Sequence, residues 1–539
     1  MSILSVGILL KSYDVFISNI SADLLNSSNS FQGSNDLSYR GFNQITTPNL
    51  DAMGYNGIIL NRHYTEAICT PSRAALLTGQ YPIRIAMQGE PLKAGEDRHL
   101  PSDVQTLPQL LKELGYDTYL VGKWHLGQAR RDDTPTRKGF DYHYGYWNGY
   151  VGYFDHEIPS PISPSITYNG YDMKENFKDA WMDKGKYATH LFTEKALDVI
   201  DQQNIDTPMF LMITHLAPHT GKDGLVEGYD EQEMNNTYSY VEDLQRRRYL
   251  DAVRHLDHSV GKIVEKLQQR NMLQNSVVVF MADNGAQING RFKNAGSNFP
   301  LRGEKYSHHE GGIRNAAVLY SPLLEKKNYV HDELMHITDW FPTLYSLAGG
   351  NVATLNRIDG VDQWPSLSQN MKSRRKNMLI NIDEARLYSG IIGYAGRYKL
   401  LNGTVQSGFY DTFSPEPTSL EQMDYDVAAI LNSPVNKAIE ESKYNPVILD
   451  EKLITGLRKY SSALRHFPKC TNKPENPEIC NKYCLFDLWI DPCETENLIN
   501  DRSKAKIVST LKTRLQTFWR QVSPQANKIR GCQFQSSKI

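Results

Sequence analysis

No apolar run in the 539 residues approaches the ~20 that a membrane-spanning helix needs. No internal repeat or low-complexity block occurs, which excludes solenoid, coiled-coil and collagen-like architectures. An excess of either charge is missing too. The 59 Lys+Arg and 61 Asp+Glu leave a formal net charge of −2, so no electrostatically driven nucleic-acid partner is expected. The apolar opening at residues 1–10 has no basic flank and no small-residue cleavage site after it, so no reliable signal peptide is read there. What remains is ordinary globular composition, 40% hydrophobic and 22% charged. The length suggests two to four domains, and one large α/β unit with an appendage fits equally well.

Cysteine is scarce, with six in all, and unevenly placed. Cys69 stands alone, whereas Cys470, Cys480, Cys484, Cys493 and Cys532 crowd the C-terminal end. Such crowding predicts disulfides in a C-terminal module, with at least one of the five left over, and hence an oxidising compartment. Glycosylation sequons at Asn19, Asn26, Asn235 and Asn402 agree mildly with that.

From residue 57 to about 342, short apolar runs alternate with helical patterns. Residues 57–60, 118–121, 209–213 and 276–281 read as strands, and 107–114 and 243–270 as helices. The run at 276–281 is apolar on both faces, as in a parallel sheet. This alternation implies an α/β sheet flanked by helices. A polar, basic stretch at 366–376 separates it from shorter strand-like pieces at 389–393 and 398–401, with Asn402-Gly403 read as a hairpin turn. A late helix spans 505–522. These pieces predict a second, smaller antiparallel α+β domain.

The densest chemistry lies in Cys69-Thr-Pro-Ser-Arg-Ala-Ala-Leu-Leu-Thr-Gly79. It reads as a helix start, with Thr70 as cap, Pro71 first in the helix and Gly79 as the stop. Cys69 then sits at the positive end of a helix dipole with Arg73 one turn on, a place that acidifies a thiol and favours an anion. A lone Cys before a helix is usually only a buried thiol. Lys123 and His125 follow a strand end and, two apart, share one face of an extended chain. His219 follows the strand at 209–213. Asp283 and Asn284 stand at the carboxyl end of the most buried strand, where open α/β sheets bind ligands. Each alone is commonplace. A reactive Cys, two lysines, two histidines, an arginine and a hard oxygen pair together make a site for an oxyanion ester.

The string from Cys69 to Gly79 resembles the signature of the sulfatase family. Further segments match in family order: Gly122-Lys-Trp-His-Leu-Gly127, Gly139-Phe-Asp-Tyr-His-Tyr-Gly145, Ala282-Asp-Asn-Gly285, Pro300-Leu-Arg-Gly-Glu-Lys305 and Glu310-Gly-Gly-Ile-Arg314. The likeness is to the arylsulfatase B (N-acetylgalactosamine-4-sulfatase) branch and its insect relatives. It implies an alkaline-phosphatase-like fold, a large mixed sheet flanked by helices with a smaller C-terminal domain. The expected division is an atypical segment at 1–34, a catalytic domain at 35–370 and an antiparallel-sheet domain at 371–539.

The same resemblance implies hydrolysis of a glycan, aryl or small-molecule sulfate ester, in a lysosomal or secreted setting. Cys69 would be oxidised to formylglycine by the formylglycine-generating enzyme and act as nucleophile. Arg73, Lys123 and His125 would support it, and Lys123, His219 and Lys305 would bind sulfate. Asp283, Asn284 and residue 69 would ligate calcium. Phosphoester hydrolases of the same superfamily place Ser or Thr at the nucleophile position, which counts against that activity here.

One departure stands out. Sulfatases carry an Asp-Asp pair at the end of the first strand, and counting back without a gap puts Ser30 and Phe31 there. With an insertion, 15–17 and 22–24 echo the strand and Asp23 becomes a surviving ligand; Asp36 is a further candidate. The stretch 26–35 reads as a loop. The alternative reading is therefore a catalytically impaired protein that binds sulfated ligands.

Overall fold

Apolar runs without alternation need a sheet covered on both faces, and that is what they form. The computed structural model describes residues 23–29, 35–163, 166–290, 292–415, 423–442 and 447–525. In chain order its main strands are β1 (Asp23–Asn29), β2 (Ile58–Leu60), β3 (Asp117–Gly122), β4 (Tyr142–Gly145), β5 (Met209–Thr214), β6 (Ser276–Ala282), β7 (Ala317–Tyr320) and β8 (Tyr329–His331). They lie side by side as β8-β2-β7-β6-β1-β5-β3-β4, with short strands Lys174–Glu175 and Lys178–Asp179 beyond β4. The five from β6 to β4 run parallel, and β7 is antiparallel to both neighbours.

Side chains of β6 alternate between two cores. Val278 and Phe280 meet Leu250, Val253 and Leu256, while Val277, Val279 and Met281 join the core of Leu76, Leu110 and Trp340. The first face is covered by α1 (Pro48–Asn56), α4 (Ala188–Gln202) and α5 (Leu244–Gln269), the second by α2 (Cys69–Thr78), α3 (Leu107–Glu113) and α6 (Trp340–Leu347). Local signals fix the helix ends. Asp243 accepts from the Gln245 N–H at the start of α5, and Thr106 with Gln109 forms a capping box at α3.

The second sheet is antiparallel, in the order β9 (Met378–Asp383), β10 (Tyr388–Gly393), β11 (Tyr398–Asn402) and β12 (Tyr483–Asp487). Between the sheets in sequence and β12 comes α7 (Pro434–Glu441), whose Val435, Ala438 and Ile439 sit in the large-sheet core with α1 and α5. The last helix, α8 (Ala505–Trp519), covers one face of the small sheet through Leu511 and Leu515. The other face packs Met378, Ile380, Ile392 and Leu401 against Ile68 and Cys69. Lys399 of β11 reaches Glu310 at 2.8 Å and Glu494 at 2.9 Å, all three fully buried, so the sheet is also tied in by charge. Disulfides join Cys470 to Cys493 and Cys480 to Cys484. Cys532 lies outside the described residues. No helix among the described residues is long and apolar enough to cross a membrane.

Three sequence expectations need correction. Asn402-Gly403 is not a hairpin turn, because β11 pairs with β10 before it and with the distant β12, and the tight connection is at Gly396, φ +88°. The late helix ends at Trp519 rather than 522. Most consequential, the stretch from residue 26 is not all loop: Asp23–Asn29 is the central strand between β5 and β6. Its polar sequence has poor strand propensity, but a slot between two parallel strands imposes extended pairing on whatever fills it. Asn26, one of the four sequon positions, pairs there with Met212 and Val279. Asn19 and residues 15–17 lie outside the described residues.

Candidate active site

Strand register gathers the candidate residues on one edge. Asn29 pairs with Ala282 and Thr214 with Gly122, so β1, β3, β5 and β6 end together. Lys123 leaves β3 there, the 215–219 segment leaves β5, and Asp283 and Asn284 leave β6. This is the carboxyl edge, where parallel sheets bind ligands.

Cys69 is the first residue of α2 and is 1% exposed. The N-cap is Ile68, which makes no side-chain cap, and Gly79 ends the helix at φ +66°. Thr70 is therefore not the cap. Its hydroxyl accepts from the Leu92 N–H at 3.1 Å and donates to His125 O at 3.3 Å. Arg73, one turn on, donates through Nη1 to Lys123 O at 2.8 Å and lies 3.7 Å from the Asp283 carboxylate. Ser72, between them, donates to Asp283 O at 2.5 Å.

Three cations thus surround the thiol. Burial pushes the Cys69 thiol up, but Lys123, Lys305 and Arg73 outweigh it, and it sits below its ordinary value. Burial, with Arg73 and Lys305 nearby, holds Lys123 well below the usual lysine range. Lys305, 1% exposed, is pushed down to about 7 by burial. Burial raises Asp283 to about 7 in spite of Arg73. Lys123 Nζ, Arg73 Nη2, both Asp283 carboxylate oxygens and Asn284 Oδ1 are buried without a hydrogen-bond partner. Burying three like charges is costly unless an anion joins them.

The histidines differ. His125 has φ +60°, so the chain turns there, and the expectation of an extended chain with Lys123 and His125 on one face fails. Its Nε2 bonds Leu92 O at 2.8 Å. A carbonyl only accepts, so Nε2 carries the proton and Nδ1, buried without a partner, keeps its lone pair. Burial and Lys123 hold the ring well below the usual histidine value. His219 bonds Thr220 O through Nδ1, and burial with Lys305 keeps it neutral as well. Tyr150 stacks on it at 5.6 Å. Leu92, through its carbonyl, and the Thr70 hydroxyl had no functional signal in the sequence.

With that geometry in view, comparison with known proteins is decisive: the family described as Sulfatase matches residues 27–350. The chain belongs to the sulfatase family. Arylsulfatase J of Mus musculus is 36% identical over 377 residues, 70% of this chain and 60% of that protein. N-acetylgalactosamine-6-sulfatase of Homo sapiens is 33% identical over 354 residues, 62% of this chain and 64% of that protein. The chain therefore spans less than two thirds of these relatives' length. The solved structure of Ps i-CgsB superposes with a TM-score of 0.61 at 26% identity, over 83% of this chain and 98% of that one. The PsFucS1 sulfatase from Pseudoalteromonas sp. gives 0.60 at 20% identity, over 89% and 86%, a likeness of fold. The alkaline-phosphatase-like α/β fold is thus as expected, and the likeness to the arylsulfatase B branch is approximate.

The calcium ion that the family implies would find half a site among the described residues. The orphaned oxygens of Asp283 and Asn284 suit a hard cation, which takes six to eight oxygens. Among the described residues no group of three or more His, Cys, Asp or Glu is arranged to hold a metal. Asp23 pairs with Ser276 at the far end of β1, seven positions before the edge where Asp283 lies, so it does not replace a lost ligand. Asp36 is spent elsewhere, on Arg246 at 2.8 Å, Tyr249 at 2.6 Å and the Ser297 N–H at 2.8 Å. Ser30 and Phe31, which follow β1, carry no carboxylate.

Proposed function

We propose that this chain is a sulfuric ester hydrolase acting on an aryl, glycan or small-molecule sulfate. The observation that carries the reading is the set of buried basic groups around Cys69, namely Arg73, Lys123 and Lys305, with the Asp283 carboxylate beside Arg73. Such a cavity is complementary to the oxygens of a sulfuryl group, on which charge is held during transfer.

Formylglycine, once formed at position 69, supplies a hydrated aldehyde as nucleophile. Its surroundings fit that group, since Lys123 Nζ and Arg73 Nη2 are donors without partners and His125 Nδ1 is an acceptor without one. Lys123 and Arg73 bind oxygens at position 69, and Lys305 with His219 binds the sulfate and the leaving oxygen. His125, its Nε2–H held by Leu92, would take a proton on Nδ1 from a hydroxyl at position 69, the general-base role in releasing sulfate.

A second reading, binding of sulfated ligands without turnover, is favoured by the end of β1 at Asn29 followed by Ser30 and Phe31. The cation cluster holds an anion whether or not calcium is present. The two disulfides and the Cys69 string point to passage through a secretory compartment, where the formylglycine-generating enzyme acts, and to a lysosomal or secreted destination. The test is release of a chromogenic phenol from an aryl sulfate, with calcium, by the secreted protein and its Cys69→Ala variant. Slow turnover that the variant lacks is expected. Equal release by both removes the hydrolase reading.

A further inference from the structure

Thr70 is fully buried next to Cys69, and its hydroxyl closes a small ring of hydrogen bonds. Oγ1 accepts from the Leu92 N–H at 3.1 Å and donates to His125 O at 3.3 Å, while Leu92 O accepts from His125 Nε2 at 2.8 Å. The ring links three separate pieces of chain: the start of α2, the segment around Leu92 and the turn after β3.

His125 requires such holding. Its left-handed backbone, φ +60°, is strained for a residue other than glycine and persists only where the surroundings fix it. The His125 N–H is taken by Trp147 O at 2.9 Å. Gly149 closes the space over the ring, where a Cβ would fall 2.9 Å from Nε2 and 3.0 Å from Cε1. Gly149 therefore admits the ring, and Leu92 O sets its tautomer. Leu92 itself is held at its N–H by Thr70, so the hydroxyl acts on the imidazole at one remove.

We infer that Thr70 is a positioning residue for His125: it fixes the Leu92 carbonyl, which locks the imidazole with its proton on Nε2 and its lone pair on Nδ1. For its kinetic consequence the inference rests on the hydrolase reading, but the tautomer is measurable without turnover.

In protein labelled with 15N-histidine, long-range 1H–15N correlations report each tautomer, and His125 is assigned by the signals lost in His125→Gln. Thr70→Ser should keep the single Nε2–H pattern. Thr70→Val should move His125 towards mixed tautomers, and Thr70→Ala serves in its place if the valine variant does not fold. An unchanged pattern in the variant lacking the hydroxyl overturns the inference. In turnover, normalised to the formylglycine content of each protein, Thr70→Val should lose about tenfold or more in kcat with KM within about twofold, and Thr70→Ser should restore it. A loss confined to KM, or one that Thr70→Ser shares, also overturns it. A parent without turnover removes the hydrolase reading and leaves the tautomer result to decide.

Discussion

Replacing Ser30 and Phe31 together by aspartate should tighten calcium binding by about a hundredfold or more, because affinity in oxygen sites follows the number of carboxylates. Ser30 and Phe31 are the positions that the family's Asp-Asp pair falls on by ungapped counting, and Asn29 of β1 pairs with Ala282, the residue before Asp283. The buried oxygens of Asp283 and Asn284 are already without partners. Two added anions would also help to balance Arg73, Lys123 and Lys305. Turnover of an aryl sulfate should rise with calcium affinity, since a bound cation promotes an oxygen nucleophile near neutral pH. Calorimetry and turnover on S30D/F31D beside the parent check both. Equal calcium binding and equal rates would show that the pair after β1 has no part in the site.

Lys305→Ala should cost about 10²–10⁴ in kcat/KM and in affinity for inorganic sulfate. That is the about 3–5 kcal/mol lost when a buried charge loses its partner. Stability should hardly fall, because burial already disfavours the Lys305 charge until an anion arrives, and a thermal melt checks this. The same lysine gives binding a pH signature. Pushed to about 7 by burial, it is charged below that pH and neutral above it. Sulfate affinity should therefore decline above about pH 7, approaching about tenfold per unit, the limit for one linked proton. Lys305→Arg should flatten the decline and Lys305→Ala should abolish the step. A parent-like profile in Lys305→Ala would put the anion elsewhere.

What could be read in the sequence and what could not divide along physical lines. The strands β3, β5 and β6 and the helix α5 were legible because burial on two faces, or on one stripe, dictates their composition. The eight candidate residues were legible because their types are chemically distinctive and stand next to strand ends or a helix start. The structure does bring them to one edge of the sheet. β1 was obscure because Asp-Leu-Leu-Asn-Ser-Ser-Asn is a strand only by virtue of β5 and β6 beside it. Thr70 was misread because a hydroxyl at a helix start usually caps, whereas here a tertiary partner, Leu92, takes it. The role of Leu92 lies in its carbonyl, which every residue has, so no side-chain pattern could announce it. The spent carboxylate of Asp36 and the displaced one of Asp23 show the same limit: whether an acid is available to a metal depends on partners far away in sequence.

The central claim is that the residue at position 69 becomes an aldehyde within this cation cluster. Mass spectrometry of the tryptic peptide 63–73, taken from protein secreted by a cell with the formylglycine-generating enzyme, addresses it directly. The account predicts a peptide in which the cysteine –CH2SH has become –CHO and which reacts with a hydrazide probe. Recovery of the unmodified thiol alone would contradict it.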